Sequence, residues 1–271
     1  MSISRHPKHQ SRRMVALAIA LLIGAAPLIS GLLVMDYQLN KRLEQSAKIA
    51  VDEALFTFDR LFDGLRAAAV LALPSGTKPC QDIQNRLAAQ VAGNPRLQSL
   101  IVNQGAGRIC RSMETMELPD FAPDQTLRLI FDSTAIPDGA LVAYRLVNGD
   151  RSVVATTYGL EIRNELRAFK NGLRLIVEIG DQYIWTEGDS REQIRPSMSE
   201  FLEGGVSKKY GYRIKVGYPQ GFTAAEARQA RNSVLPSLVL ISALTSAVVI
   251  WSLRNRRVNI DGKTANRRPA A

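Results

Sequence analysis

The sequence predicts an α+β domain carried between two transmembrane helices, and three observations lead there. Two runs carry no charge at all, Val15–Met35 with 21 residues and Val234–Leu253 with 20. Between them, short apolar runs recur on either side of glycine-containing turns, as antiparallel hairpins do. Helical periodicity comes ahead of these runs and once among them, which argues for a mainly antiparallel sheet covered on one face rather than for alternating βα units.

The first run, VALAIALLIGAAPLISGLLVM, would span roughly 30 Å as a helix at about 1.5 Å per residue, the thickness of a bilayer's hydrocarbon core. A cleaved signal peptide is the competing reading, but its apolar core is usually 7–15 residues, so a retained anchor is expected. Pro27 and Pro236 fall inside the two spans, where prolines are tolerated. Beyond the first span, Leu39, Leu43, Ala47, Val51, Leu55, Phe58, Phe62 and Leu65 recur every three or four residues. One long helix is expected, ending at Pro74-Ser75-Gly76, its apolar stripe serving as a packing face or a dimer seam.

A second helix is expected over Cys80–Ala92, with Ile83, Leu87 and Val91 on one face and Gly93-Asn94-Pro95 as its stop. A hairpin follows, Leu97–Val102 returning through Asn103–Gly107 into Arg108-Ile109-Cys110. Thr126–Asp132 reads as a strand, and Ala140–Val147 faces Ser152–Tyr158 across Asn148-Gly149-Asp150, an Asn-Gly hairpin signal. Leu160–Lys170 reads as a helix turning Ile162, Leu166 and Phe169 inward. Arg174–Ile179 then turns through Gly180-Asp181 into Gln182–Trp185. A last strand, Lys208–Tyr218, alternates with Tyr210, Tyr212, Ile214, Val216 and Tyr218 on one face. Thr223 and Glu226 have the spacing of a capping box, opening a short polar helix into the second span. This order of elements resembles that of extracellular PAS-like and Cache-like sensor domains.

The net charge of +10 invites a nucleic-acid reading until its location is traced. Ten Lys and Arg (Arg5, Lys8, Arg12, Arg13, Arg254, Arg256, Arg257, Lys263, Arg267, Arg268) and one acid, Asp261, lie in the two tails, leaving +1 for everything between. The excess is therefore a topology signal, and no nucleic-acid partner is expected. By the positive-inside rule both termini are cytoplasmic and the middle is periplasmic, in a bacterial inner membrane. The expected division is a basic tail over 1–14, a span over 15–35, a periplasmic domain over 36–233, a span over 234–253 and a basic tail over 254–271.

Both histidines, His6 and His9, sit in the first tail, and the only cysteines are Cys80 and Cys110. A periplasmic domain without histidine builds neither a Ser-His-Asp triad nor a Cys-His pair, and two cysteines leave a zinc ion half-liganded. No catalytic residue, metal site or cofactor is expected. In an oxidising compartment an even pair of cysteines forms a disulfide more often than a metal site. Joining Cys80 to Cys110 would close a loop of about 30 residues and add roughly 3–4 kcal/mol in the chain-entropy model. Such a bond can be an inert staple. If reduced, Cys80 at a helix N-terminus would be the more reactive thiol.

The stretch PCQDIQNRLAAQVAGNPRLQSLIVNQGAGRICRSM resembles the CSS-motif periplasmic domains, in which one Cys precedes a helix and Cys-Ser-Ser follows a strand and a glycine turn. The flanking spans and the late Tyr-x-Ile-x-Val-x-Tyr-Pro strand fit as well, so the likeness covers residues 15 to 255. Arg111 departs from the motif at its first Ser, and Ser112 matches the second. The resemblance implies a redox-controlled disulfide between Cys80 and Cys110, and a sensor module tied to cyclic di-GMP signalling. Family members usually continue into a cytoplasmic EAL phosphodiesterase. The residues after Leu253 are too few for its barrel of some 250 residues, so a non-catalytic regulator is expected, the alternatives being a partial phosphodiesterase or a structural anchor. Expected partners are the inner membrane, periplasmic thiol oxidoreductases and proteases, and a second copy or a full-length EAL relative. Glu53-Ala54-Leu55 is a chance match to the letters of that name. The row Asp36, Glu44, Asp52, Glu53, Asp59 and Asp63 reads as a solvated face, and Trp185 with the late tyrosines as core or as a ligand pocket.

Overall fold

The computed structural model describes residues 7–74, 78–105, 107–169, 172–191 and 195–265. Ser75, Gly76, Ala106 and Lys170 of the expected turns and helix, and Arg5, Arg267 and Arg268 of the tails, lie outside them. Two compact units emerge, Leu43–Phe222 and a second formed by Met1–Arg42 with Thr223–Ala271. Helices α1 (Pro7–Ala72) and α4 (Phe222–Ala265) contribute to both.

In the terminal unit α1 and α4 run antiparallel and touch through small residues. A side chain at Gly24 would strike Ser246, and one at Gly31 would strike Leu238, so glycine permits the close approach. Asp36 accepts a bond of 2.8 Å from Arg231 at one end of this contact. The outward faces are apolar, with Leu22 73 %, Leu240 64 % and Trp251 68 % exposed. Both helices are long and apolar enough to cross a membrane, and both continue through their prolines. Leucines facing outward are costly in water and ordinary in lipid. Helix α4 begins at Phe222, so Thr223 lies inside its first turn, and the polar lead and the apolar span form one helix.

The larger unit is built on the second half of α1. Ala47, Ala50, Ala54, Phe58, Leu61, Phe62, Leu65, Ala68 and Ala72 are all buried, so the predicted stripe is a packing face. Two antiparallel sheets are present rather than one, in an α+β fold. The first has the order β2-β1-β5-β4-β3, with β1 Ser99–Asn103, β2 Ile109–Arg111, β3 Leu127–Ser133, β4 Ile136–Asn148 and β5 Arg151–Tyr158. The second has the order β7-β6-β9-β8, with β6 Arg174–Ile179, β7 Gln182–Trp185, β8 Glu200–Val206 and β9 Arg213–Tyr218. Helix α2 (Cys80–Ala92) packs beside β1 and β2, and α3 (Gly159–Ala168) follows β5. One apolar core joins α1, α2, α3 and both sheets, including Ile83, Leu100, Val142, Ile162, Val177 and Ile214.

Local chemistry explains several details. Asn148 pairs with Arg151, so the β4–β5 turn is Gly149-Asp150 with Gly149 at φ +60°, the first turn position, where a type II′ hairpin needs glycine. The expected strand from Lys208 is shorter, because 207–212 forms the β8–β9 turn. There the Ser207 hydroxyl oxygen accepts from the Lys209 and Tyr210 amides, and Gly211 takes φ +74°. Asp189 is only 2 % exposed and accepts bonds from Arg163 (2.9 Å) and Arg191 (2.8 and 2.9 Å), while Arg191 also reaches Asp132 beside the β3–β4 irregularity. The Arg191 bonds hold the Asp189 carboxyl below its ordinary range, against the opposing effect of burial.

Candidate functional site

Cys80 is the first residue of α2, behind Pro79, whose carbonyl accepts the Asp82 amide at 3.1 Å. Proline ahead of the first helical residue fits a backbone whose first N–H groups have no helical partner. Ile83 and Leu87 bury the inner face of α2, and its far end is tied down where the Gln90 amide donates to the Ala68 carbonyl of α1 at 2.8 Å.

Cys110 sits at the centre of β2, opposite Val102 of β1. The turn between these strands is set by Asn103, whose side-chain oxygen accepts the Gly105 amide at 3.0 Å, and by Gly105 and Gly107 at φ +80° and +77°. Gln104 donates to the Lys78 carbonyl at 2.6 Å, which brings the approach to α2 against this turn. The two cysteines meet as a disulfide with Cα atoms 5.1 Å apart, inside the usual 4.4–6.8 Å. Cys110 is 2 % exposed, whereas Cys80 is half-buried. The bond links a helix start to the edge strand of a sheet across 30 positions of chain.

The two residues after Cys110 differ in kind. Ser112 continues the ladder past β2, its amide donating to the Leu100 carbonyl at 2.9 Å while its hydroxyl accepts the Leu100 amide at 2.9 Å. That hydroxyl is a rung of the sheet. Arg111 lies opposite Ile101 and is half-buried, and its Nε has no hydrogen-bond partner among the described residues. A groove of about 360 Å³ lies at this sheet edge, lined by Cys80, Gln84, Ile109, Cys110, Arg111 and Glu114.

Other residues singled out from sequence sit elsewhere. Asp59 and Asp63 are not a solvated face. Asp59 accepts from the Tyr212 hydroxyl at 2.8 Å and the Ser207 hydroxyl at 2.7 Å, and Asp63 from Tyr210 at 2.6 Å and Lys209 at 2.8 Å. Burial first, and these carboxylates second, push both tyrosines well above their ordinary range, so they remain protonated donors. With Phe58 and Phe62 edge-on to Tyr212, they clamp the β8–β9 turn onto α1. Trp185 is buried at the end of β7 with the Arg174 guanidinium over its ring. The late tyrosines are core. Among the described residues no group of three or more His, Cys, Asp or Glu converges as metal ligands would.

A family model described as "CSS motif domain associated with EAL" matches residues 43–231. Among solved structures, the extracellular domain named for the histidine kinase rpHK1S-Z16 is similar, with 13 % identity, 70 % of this chain and 93 % of that chain covered, and a TM-score of 0.39. At that distance the likeness carries no weight. No curated protein matches the chain. The matched span contains the whole of the larger unit, both cysteines and the Cys-Arg-Ser triplet, and on it the chain belongs to the family of CSS-motif domains associated with EAL.

Proposed function

We propose that the chain is an inner-membrane regulatory module of PAS/Cache-like build, with a periplasmic sensor domain, both termini in the cytoplasm, and a Cys80–Cys110 disulfide whose redox state sets its output. One observation carries this reading: the bond joins a helix start to a sheet edge beside a groove that both cysteines line, with Cys80 half-buried and Cys110 2 % exposed. A bond open to exchange on one side suits a switch better than one enclosed on both. The outward apolar helices and the basic tails support the membrane placement.

The output would act on an EAL phosphodiesterase of cyclic di-GMP, in a longer product or in a second chain, since the family is named for that association. Ile49 and Phe56 on α1 are each 64 % exposed and Val70 is 49 % exposed, with spacings that are multiples of seven. Position 63 of that row is Asp63, bonded to Lys209 and Tyr210, so Ile49 and Phe56 are the apolar pair suited to contact with a second copy or an EAL relative. Periplasmic thiol oxidoreductases would set the bond, and proteases would remove loosened protein.

A second reading, a structural anchor with an inert staple, draws on the bonds from Gln90 to Ala68 and Gln104 to Lys78, which tie both ends of α2 without the disulfide. Alkylation trapping in cells with and without a periplasmic thiol oxidase, read beside cellular cyclic di-GMP, separates the two. The switch requires oxidised protein in the first strain, reduced protein in the second, and a different nucleotide level. Free thiols in oxidising cells, or one nucleotide level in both strains, would end it.

A further inference from the structure

We propose that the groove beside the disulfide is a binding site for small anionic thiols, acids or short peptides that carry both a carboxylate and a thiol, and that Arg111 selects them. This rests on the redox reading above and deepens it by naming the class of reductant the bond meets.

Three features share the groove. Both cysteines line it, and because Cys80 is half-buried while Cys110 is 2 % exposed, the Cys80 sulfur is the one a solvent-borne thiolate reaches. Arg111 lines it too and is half-buried, a fixed positive charge at the groove that favours an anionic ligand. The third feature is backbone. Gln104 bonds Arg108 and Ser112 bonds Leu100, so the alternation of an antiparallel ladder turns the amides and carbonyls of Ile109 and Arg111 outward at the sheet's edge.

A peptidic thiol answers all three, its amides on the strand edge, its carboxylate on the Arg111 guanidinium and its sulfur on Cys80. Gln84 adds an amide to the lining, and exposed Glu114 at the rim opposes anions, with its charge screened by solvent. The volume of about 360 Å³ is at the small end of the roughly 300–1,000 Å³ typical of ligand pockets.

The reaction balances as ordinary exchange. A thiolate attacks the Cys80 sulfur, the new bond forms there, and the bond to Cys110 breaks with its electron pair going to the Cys110 sulfur, which takes a proton from solvent. A second thiolate attacks the ligand sulfur of the mixed disulfide and releases Cys80. Two small thiols are oxidised to one disulfide, and the protein disulfide is reduced to two thiols. Attraction between unit charges a few ångströms apart in water is worth a factor of a few in rate, so removing Arg111 should change the ratio of anionic to cationic rates by about tenfold.

The test uses the full chain in lipid nanodiscs, with reduction timed by acid quench and alkylation. Mercaptoethanesulfonate, 2-mercaptoethanol and cysteamine supply negative, neutral and positive thiols, each rate being corrected to the thiolate fraction, and glutathione supplies the peptide. Arg111→Ser restores the family residue, Arg111→Gln is a second neutral variant should the first misfold, and Arg111→Lys keeps the charge. Expected results are an anionic-to-cationic ratio about tenfold higher in wild type than in either neutral variant, a 2-mercaptoethanol rate lowered by an intermediate factor because its thiolate is itself anionic, and a glutathione rate that saturates in wild type and is linear without Arg111. Equal ratios in wild type and the neutral variants, or linear glutathione dependence in wild type, would overturn the site. A saturating, charge-selective reduction that leaves cyclic di-GMP unchanged in cells would sink the regulatory reading and leave the site standing.

Discussion

Removing the two cysteines singly and together gives a result that only a shared bond produces. Cys80→Ala opens a loop closed across 30 positions, which in the chain-entropy model costs about 3.5 kcal/mol at 25 °C. Cys110→Ala opens the same loop and also empties a site that is 2 % exposed, adding about 1 kcal/mol for the lost sulfur. The double variant has no second loop to open. It should therefore cost about 4.5 kcal/mol, the same as Cys110→Ala, rather than the sum of about 8. Urea unfolding followed by the fluorescence of buried Trp185, in a Trp251→Phe background, reads the larger unit alone. With a slope of about 2–3 kcal/mol per molar urea, each loss moves the midpoint by more than about 1 M. Additive costs, or either single variant within about 1 kcal/mol of wild type, would refute a bond that carries this much of the stability.

Tyr212→Phe removes the donor to Asp59 and should lower stability by about 1.5–3 kcal/mol, the range for bonds to charged groups, with a thermal melt indistinguishable from wild type as the contrary result. Asp189 has a folded pKa held below its unfolded value of about 3.9, so its contribution is complete above that value and is lost as pH falls through the folded pKa. Melting temperature should therefore fall below about pH 4 in wild type and fall less in Asp189→Asn, and parallel acid limbs would refute the assignment. Gly205→Val places a side chain 2.8 Å from atoms of both Val51 and Leu55 on α1, and overpacking of that kind costs about 1–3 kcal/mol, measurable in the same urea assay. A reporter active only in the periplasm should work when inserted at the exposed Gly149 turn and be dead when fused after Ala271; the reverse pattern would invert the topology.

Much of the fold was legible because periodicity survives wherever one face is buried. The stripe on α1, the Cys80–Ala92 helix and the Ala140–Tyr158 hairpin all lie in such places. Strand β8 was missed because EFLEGGV has no alternation to read. Its Gly205 is placed where α1 comes so close that Val51 and Leu55 leave no room for a side chain, and Phe201 at φ +50° sits in the irregular stretch against β9. One sheet was expected and two are present, since strand order is decided by contacts far apart in sequence. The Asp59 and Asp63 bonds were hidden for the same reason, lying roughly 150 positions from the turn they hold. In the site, the cysteine pair could be read from count and compartment. That the Ser112 hydroxyl is a rung of the sheet could not, because its partner is Leu100, on the neighbouring strand.

The disulfide also alters what a break in the chain would mean. Between Cys80 and Cys110 the backbone and the sulfur bridge form a closed ring that holds α2, β1 and the turn at Gly105 and Gly107. One peptide bond hydrolysed inside that ring leaves a single molecule, heavier by one water, with every strand still tethered to its neighbours. The same cut after reduction yields two polypeptides, and β1, paired on one side with β2 and on the other with β5, is then held only by hydrogen bonds and packing on its cut side. A nick that is silent in the oxidised protein leaves, in the reduced one, two polypeptides joined by non-covalent contacts alone.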